Sequence, residues 1–180
     1  MAGSARGLRS LPLKLSALPQ GTGDNKVSEE QQASPQEAIE VYTDGAASGN
    51  PGPAGIGIFM RYRGKTKEIS RYIGITTNNV AELTAIETAL SAIRKPELPV
   101  ILYTDSGYAL GLLTMNWKAK KNVDLVARIR KLMSRFKHLK IVKVPGHCGV
   151  EGNEIADKLA TSAITNRVAD ALREMKQSLE

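Results

Sequence analysis

Apolar and polar positions first fall into order near residue 40, where they alternate with a period of two. Glu40-Val41-Tyr42-Thr43 predicts a strand, which ends in a turn-rich stretch from Gly45 to Gly55. Ile56 to Tyr62 predicts a second strand, and Arg63-Gly64-Lys65 a hairpin into a third over Glu68 to Ile73. Three adjacent strands with short connections imply an antiparallel meander. The period then lengthens to 3.6. Ala81, Leu83, Ala85, Ile86, Ala89, Leu90 and Ile93 form one helical stripe, which Asn78 or Asn79 can cap and Pro96 ends. Val100 to Thr104 is a near-continuous apolar run, as in a strand covered on both faces. Ser106 to Leu113 predicts a short helix, Val123 to Phe136 a longer one, Lys140 to Val144 a fifth strand and Glu151 to Ile164 a final helix. That order predicts an α/β fold, a five-stranded mixed sheet with helices on both faces.

The two ends of the chain lack this order. Residues 1–36 are rich in Ser, Gly, Pro, Gln and Ala, without sustained periodicity, and read as a disordered tail. Residues 1–23 carry Arg6, Arg9 and Lys14 and no acid, a pattern shared by organelle transit peptides and by ordinary short basic tails. Residues 37–165 form the expected domain, with 166–180 a helical extension. There, Val168, Leu172, Met175 and Leu179 repeat at helical spacing, suited to packing on the domain or to a short dimerising helix.

Composition narrows the function. No apolar run approaches the ~20 residues that span a membrane. The single cysteine, Cys148, excludes an intramolecular disulfide. Aromatic residues make up only 4%, which argues against an extended base-stacking platform. The net charge is +7, and residues 36–165 hold +6 of it, from 18 basic and 12 acidic groups. Ten Lys or Arg against one acid, Asp124, fall within residues 118–143. A polyanionic partner fits that excess, although a solvated helix face would carry it equally well.

Four acids stand out against the pattern. Asp44 and Asp105 each end an apolar strand, in TDG and TDS, so parallel neighbouring strands would bring both carboxylates to one sheet edge. Glu82 lies in the first turn of the helix after the meander, beside its apolar stripe. Asp157 sits among Ile155, Ala156, Leu159 and Ala160 in the last helix. Each has an ordinary reading when taken singly, as a turn aspartate or an exposed helix acid. Taken together, they are an all-oxygen donor set for hard cations such as Mg²⁺.

The segments around these acids are TDGAASGNPGPAGIGI, TTNNVAELTAIETAL, YTDSGYALG and VPGHCGVEGNEIADKLA, in that order and on the elements just assigned. Together they resemble the ribonuclease H family, type 1, over about residues 40–164. The resemblance implies the ribonuclease H-like fold and two Mg²⁺ ions held by Asp44, Glu82, Asp105 and Asp157, with Mn²⁺ able to substitute. It implies an endonuclease that hydrolyses the RNA strand of RNA–DNA hybrids, leaving 5′-phosphate and 3′-hydroxyl ends. His147 becomes a fifth catalytic residue, aiding proton transfer or product release, a role suited to an imidazole near pH 7. Asn50, Asn78 and Asn79 match minor-groove contacts that recognise ribose. Thr77 and Asn122 match positions that hold a DNA phosphate, and Trp117 one that packs beside deoxyribose.

The chain departs from the family pattern in two places. Many members insert a basic helix and loop after the tryptophan. Here NWKAKKNVDL runs almost directly from Trp117 to Asn122, leaving Lys118, Lys120 and Lys121. Gly107 stands where many relatives carry a longer polar side chain. Two competing readings follow: a nuclease preferring double-stranded RNA or RNA–DNA junctions, and a non-catalytic nucleic-acid-binding relative. The missing protrusion keeps the first open, while the intact acids and His147 argue against the second. The expected protein is a cytoplasmic monomer with no membrane partner, with organelle targeting by the tail left open.

Overall fold

A computed structural model describes residues 37–115, 117–146 and 148–177, with side chains as far as Arg173. The sequence-predicted tail lies outside these residues. Five strands and four helices follow in order: β1 (Ile39–Ala47), β2 (Gly52–Tyr62), β3 (Lys65–Thr76), α1 (Asn78–Ala92), β4 (Val100–Thr104), α2 (Gly107–Thr114), α3 (Val123–Met133), β5 (Leu139–Lys143) and α4 (Glu151–Gln177). The strands form one sheet in the order β3-β2-β1-β4-β5. β1, β2 and β3 pair antiparallel, whereas β1 with β4 and β4 with β5 pair parallel. The expected mixed sheet is the sheet observed.

Side-chain alternation sorts the two faces. Val41, Ile56, Ile58 and Met60 join the stripe of α1 and the buried Leu125, Val126 and Ile129 of α3 in the main core. On the other face, Tyr42 and Phe59 pack against Ala156 of α4, with Tyr103 stacked on Tyr42. α4 approaches the sheet closely because β2 has no side chains in its path. A Cβ on Gly57 would land on the Ala156 carbonyl, and one on Gly55 on that of Ala160.

The first two strands run further than the sequence pattern predicts. β1 continues through Asp44 to Ala47 and β2 begins at Gly52, so much of the supposed turn is paired strand, with Asp44 opposite Gly57 and Gly45 opposite Ile56. Gly45 and Gly55 there admit helices, while Gly49, at φ +105°, and Gly52, tight against Ser48, serve the chain reversal over residues 48–51. β3 also extends, to Lys65–Thr76, and α4 continues well past Ile164 with Val168 and Leu172 exposed. The α1 cap is Thr77, whose hydroxyl accepts from the Val80 N–H, instead of the expected Asn78 or Asn79.

Candidate active site

The two TD pairs behave alike. Thr43 and Thr104 are buried and hydrogen-bonded within the strand ends: Thr43 donates to the Tyr103 carbonyl, and Thr104 Oγ1 accepts from the Ser106 N–H. Parallel register sets Tyr42 beside Tyr103, and the same offset two residues on brings Asp44 alongside Asp105. Strand polarity thus delivers both carboxylates to one edge of the sheet.

The helices deliver the other two. A Cβ on Gly45 would lie on the backbone of Ala81 and Glu82, so only glycine lets the first turn of α1 rest on β1. That contact places Glu82 next to Asp44. α4, seated on Gly55 and Gly57, carries Asp157. Asp44, Glu82, Asp105 and Asp157 together line one cleft of about 430 Å³, with Gly45, Ala46, Ala47, Asn78 and Gly146 completing its wall.

Its electrostatics follow from crowding like charges with little water. Burial first, then the neighbouring Asp105, push the Asp44 carboxyl up to about 7. A hydrogen bond at the Gly45 backbone opposes the rise, while Asp157 and Glu82 add to it. Burial also raises Glu82, with Asp105 adding and the Ser106 hydroxyl opposing.

Two residues that the sequence pattern did not single out fix these acids. Ser106 donates its hydroxyl to Glu82 Oε2 and accepts from the Ala109 N–H as the cap of α2. Asn78 Nδ2 donates to Glu82 Oε1 at 3.0 Å, so both oxygens of Glu82 are held. Asn153, only 2% exposed, donates its Nδ2 to Asp105 Oδ2 at 3.4 Å, and its Oδ1 is buried with no hydrogen-bond partner. The one advance signal for Asn153 was its position beside the apolar stripe of the last helix, which is too common to interpret alone.

The remaining residues form two groups. Asn50 accepts from the Asn78 backbone N–H at 3.2 Å, joining the α1 N-terminus that also carries Thr77 and the exposed Asn79. Trp117 and Asn122 sit against α2: the Trp117 ring covers Gly111, and Asn122 Nδ2 donates to the Tyr108 hydroxyl at 3.2 Å. Trp117 is 52% exposed, so it is not a core residue. His147 lies outside the described residues.

The donor set suits a hard divalent cation. It is all oxygen, mutually repulsive, and next to one buried carbonyl oxygen without a partner. No three described His, Cys, Asp or Glu side chains already stand at the spacing of a closed metal cage. The cleft is an open cradle, compatible with Mg²⁺, which keeps several of its waters.

Comparison with known proteins agrees with this architecture. The sequence profile of the RNase H family matches residues 36–165. The ribonuclease H of Chromobacterium violaceum is 39% identical over 142 residues, 72% of this chain and 96% of its own. That of Shewanella sp. MR-4 is 43% identical over 138 residues, 69% and 86%. Among solved structures, RNase H1 from the halophilic archaeon Halobacterium salinarum superposes with a TM-score of 0.64 at 33% identity, covering 72% of this chain and 98% of that one. LC11-RNase H1, isolated from compost and crystallised in complex with an RNA/DNA hybrid, gives 0.64 at 36%, covering 72% and 99%. With the profile spanning its whole sheet and all four cleft acids, this chain belongs to the RNase H family.

Proposed function

We propose that this chain is an endonuclease that hydrolyses the RNA strand of RNA–DNA hybrids with two divalent cations, Mg²⁺ by preference and Mn²⁺ as a substitute. The observation that carries the reading is the cleft, where four carboxylates from four elements face one space and hold Asp44 far above the usual carboxylate range. Family membership and the hybrid bound to LC11-RNase H1 support the substrate.

In this reading Asp44, Glu82, Asp105 and Asp157 hold the cations. When bound, Mg²⁺ neutralises charge on the scissile phosphate and acidifies the attacking water. The protein's own part is preorganisation. Ser106 and Asn78 fix Glu82, and Asn153 orients Asp105, so the oxygens that grip the cations need not search for position. His147, next in sequence to Gly146 of the cleft wall, aids proton transfer, from the attacking water or to the leaving 3′-oxygen, or aids product release.

Strand choice rests on the ribose 2′-hydroxyl, which RNA has and DNA lacks. Asn50, Asn78 and Asn79 offer amides that both donate and accept, beside the cleft. Thr77 and Asn122 hold a phosphate of the DNA strand, and the exposed face of Trp117 packs on its deoxyribose. The test uses end-labelled hybrid, duplex RNA and duplex DNA of one sequence, with Mg²⁺ and with EDTA. Cleavage confined to the RNA of the hybrid and abolished by EDTA is expected. Cleavage of duplex RNA at a comparable rate would favour the shifted-specificity reading, and none of any substrate the non-catalytic one.

A further inference from the structure

Of the ten basic residues in 118–143, two are held by the protein itself. Arg128 pairs with Glu87 at 2.7 Å, and Arg130 donates to the Leu112 carbonyl at 2.6 Å. Lys143 is among the others. It is the last residue of β5, exposed, and makes no ion pair with any described residue.

Its place is set by backbone. Parallel pairing puts Lys143 beside Thr104, and the Val144 N–H donates to the Thr104 carbonyl at 3.0 Å. The strand end bearing Lys143 is therefore bonded to the strand end bearing Asp105. The Lys143 ammonium reaches over Gly107, where it stands 3.5 Å from the site a Cβ would occupy and, among the described residues beyond the glycine's own turn of helix, is the one group within 4 Å of it. The missing side chain at Gly107 leaves space beside this cation, two residues beyond Asp105. Three residues after Lys143, Gly146 lies so close to Asp105 that a Cβ there would meet Oδ2 at 2.9 Å. An ammonium at the lip of an acidic cleft would ordinarily fold onto a carboxylate. Here Asp105 is engaged by Asn153, and Lys143 points to Gly107 instead.

We propose that Lys143 is a substrate-contact residue, whose ammonium, in the space left open by Gly107, grips the RNA-strand phosphate next to the scissile one. The inference rests on the hybrid-cleaving function proposed above. Lys143 thus supplies a cation on the strand end that is bonded to the one bearing Asp105. Lys143 forms no bond to the reacting atoms; its part is to hold the strand in register.

The test compares wild-type protein with Lys143→Gln, Lys143→Arg and, as a surface control on the sheet edge, Lys67→Gln. The substrate is a hybrid with one cleavable ribonucleotide step, with or without a neutral methylphosphonate at the adjacent RNA phosphate. For Lys143→Gln the expected result is a KM raised about three- to tenfold with kcat within about twofold. The slope of log affinity against log salt should also be shallower by about one. Lys143→Arg should restore KM. The neutral phosphate should raise KM for the wild type yet add nothing to Lys143→Gln. If both lesions add in full, or if KM and salt slope are unchanged in Lys143→Gln, the assignment is overturned. If the wild type leaves every hybrid intact, the function reading fails instead, and the two failures are told apart by that control.

Discussion

Asp44 sits where its charged form is least welcome, on a buried strand end facing three other acids. In the protein without divalent cation its folded pKa is about 7, against 3.8 as the ordinary value. The folded chain therefore binds more protons than the unfolded chain between those two values, and stability falls as pH rises from about 4 to about 7. Above pH 7 the full penalty remains. Asp44→Asn removes it, so thermal melts in EDTA at pH 8 should show the variant more stable than the wild type, by a few kcal/mol. That gain should disappear near pH 4. A variant equally or less stable at pH 8 would mean that Asp44 is already compensated within the protein. In the proposed function, cation binding relieves the same strain.

Elements meet at this cleft through glycine as much as through apolar packing. Gly45 admits the first turn of α1, and Gly55 and Gly57 admit α4. Gly45→Ala places a methyl against the Ala81 and Glu82 backbone, and because backbone cannot swing aside, α1 must shift. The expected outcome is about 1–3 kcal/mol of lost stability, read by thermal unfolding. Activity measured well below the melting temperature should fall at least tenfold, because Glu82 moves with the helix. Full activity in the folded variant would separate that glycine from the site.

These glycines also mark where sequence reading stopped short. A run such as Gly45 to Gly55 has the composition of a turn, yet only its middle reverses the chain; Gly45 and Gly55 lie in paired strand and answer to helices on the sheet that only tertiary structure reveals. Element order, sheet type and the α1 stripe were legible because each rests on local periodicity. The four acids drew notice because two ended strands and two lay beside apolar stripes, but it was the four ordered segments resembling the RNase H family that joined them into one site. Ser106 and Asn153 were not, since a hydrogen bond across 24 or 48 residues leaves no local trace.

At the scale of the whole molecule, charge divides into two regions of opposite sign. Setting aside the four cleft acids leaves the domain with 18 basic against eight acidic groups. The basic excess is concentrated in 118–143, on the chain that follows α2 and leads through α3 to β5. Lys118, Lys120 and Lys121 flank the exposed Trp117, all of them exposed themselves. In the function proposed above, this exposed basic stretch is a candidate for contacts with backbone phosphates.

In the proposed function the cleft carboxylates hold the cations that hydrolysis needs, and Asp44 is the one that burial and the other three acids raise to about 7. The most direct test is single-turnover cleavage of a labelled RNA–DNA hybrid by wild-type and Asp44→Asn protein in Mg²⁺, with thermal melts confirming that both are folded. The account predicts loss on the order of a thousandfold or more in the variant, with hybrid still bound. Cleavage by folded Asp44→Asn within tenfold of wild type would contradict it.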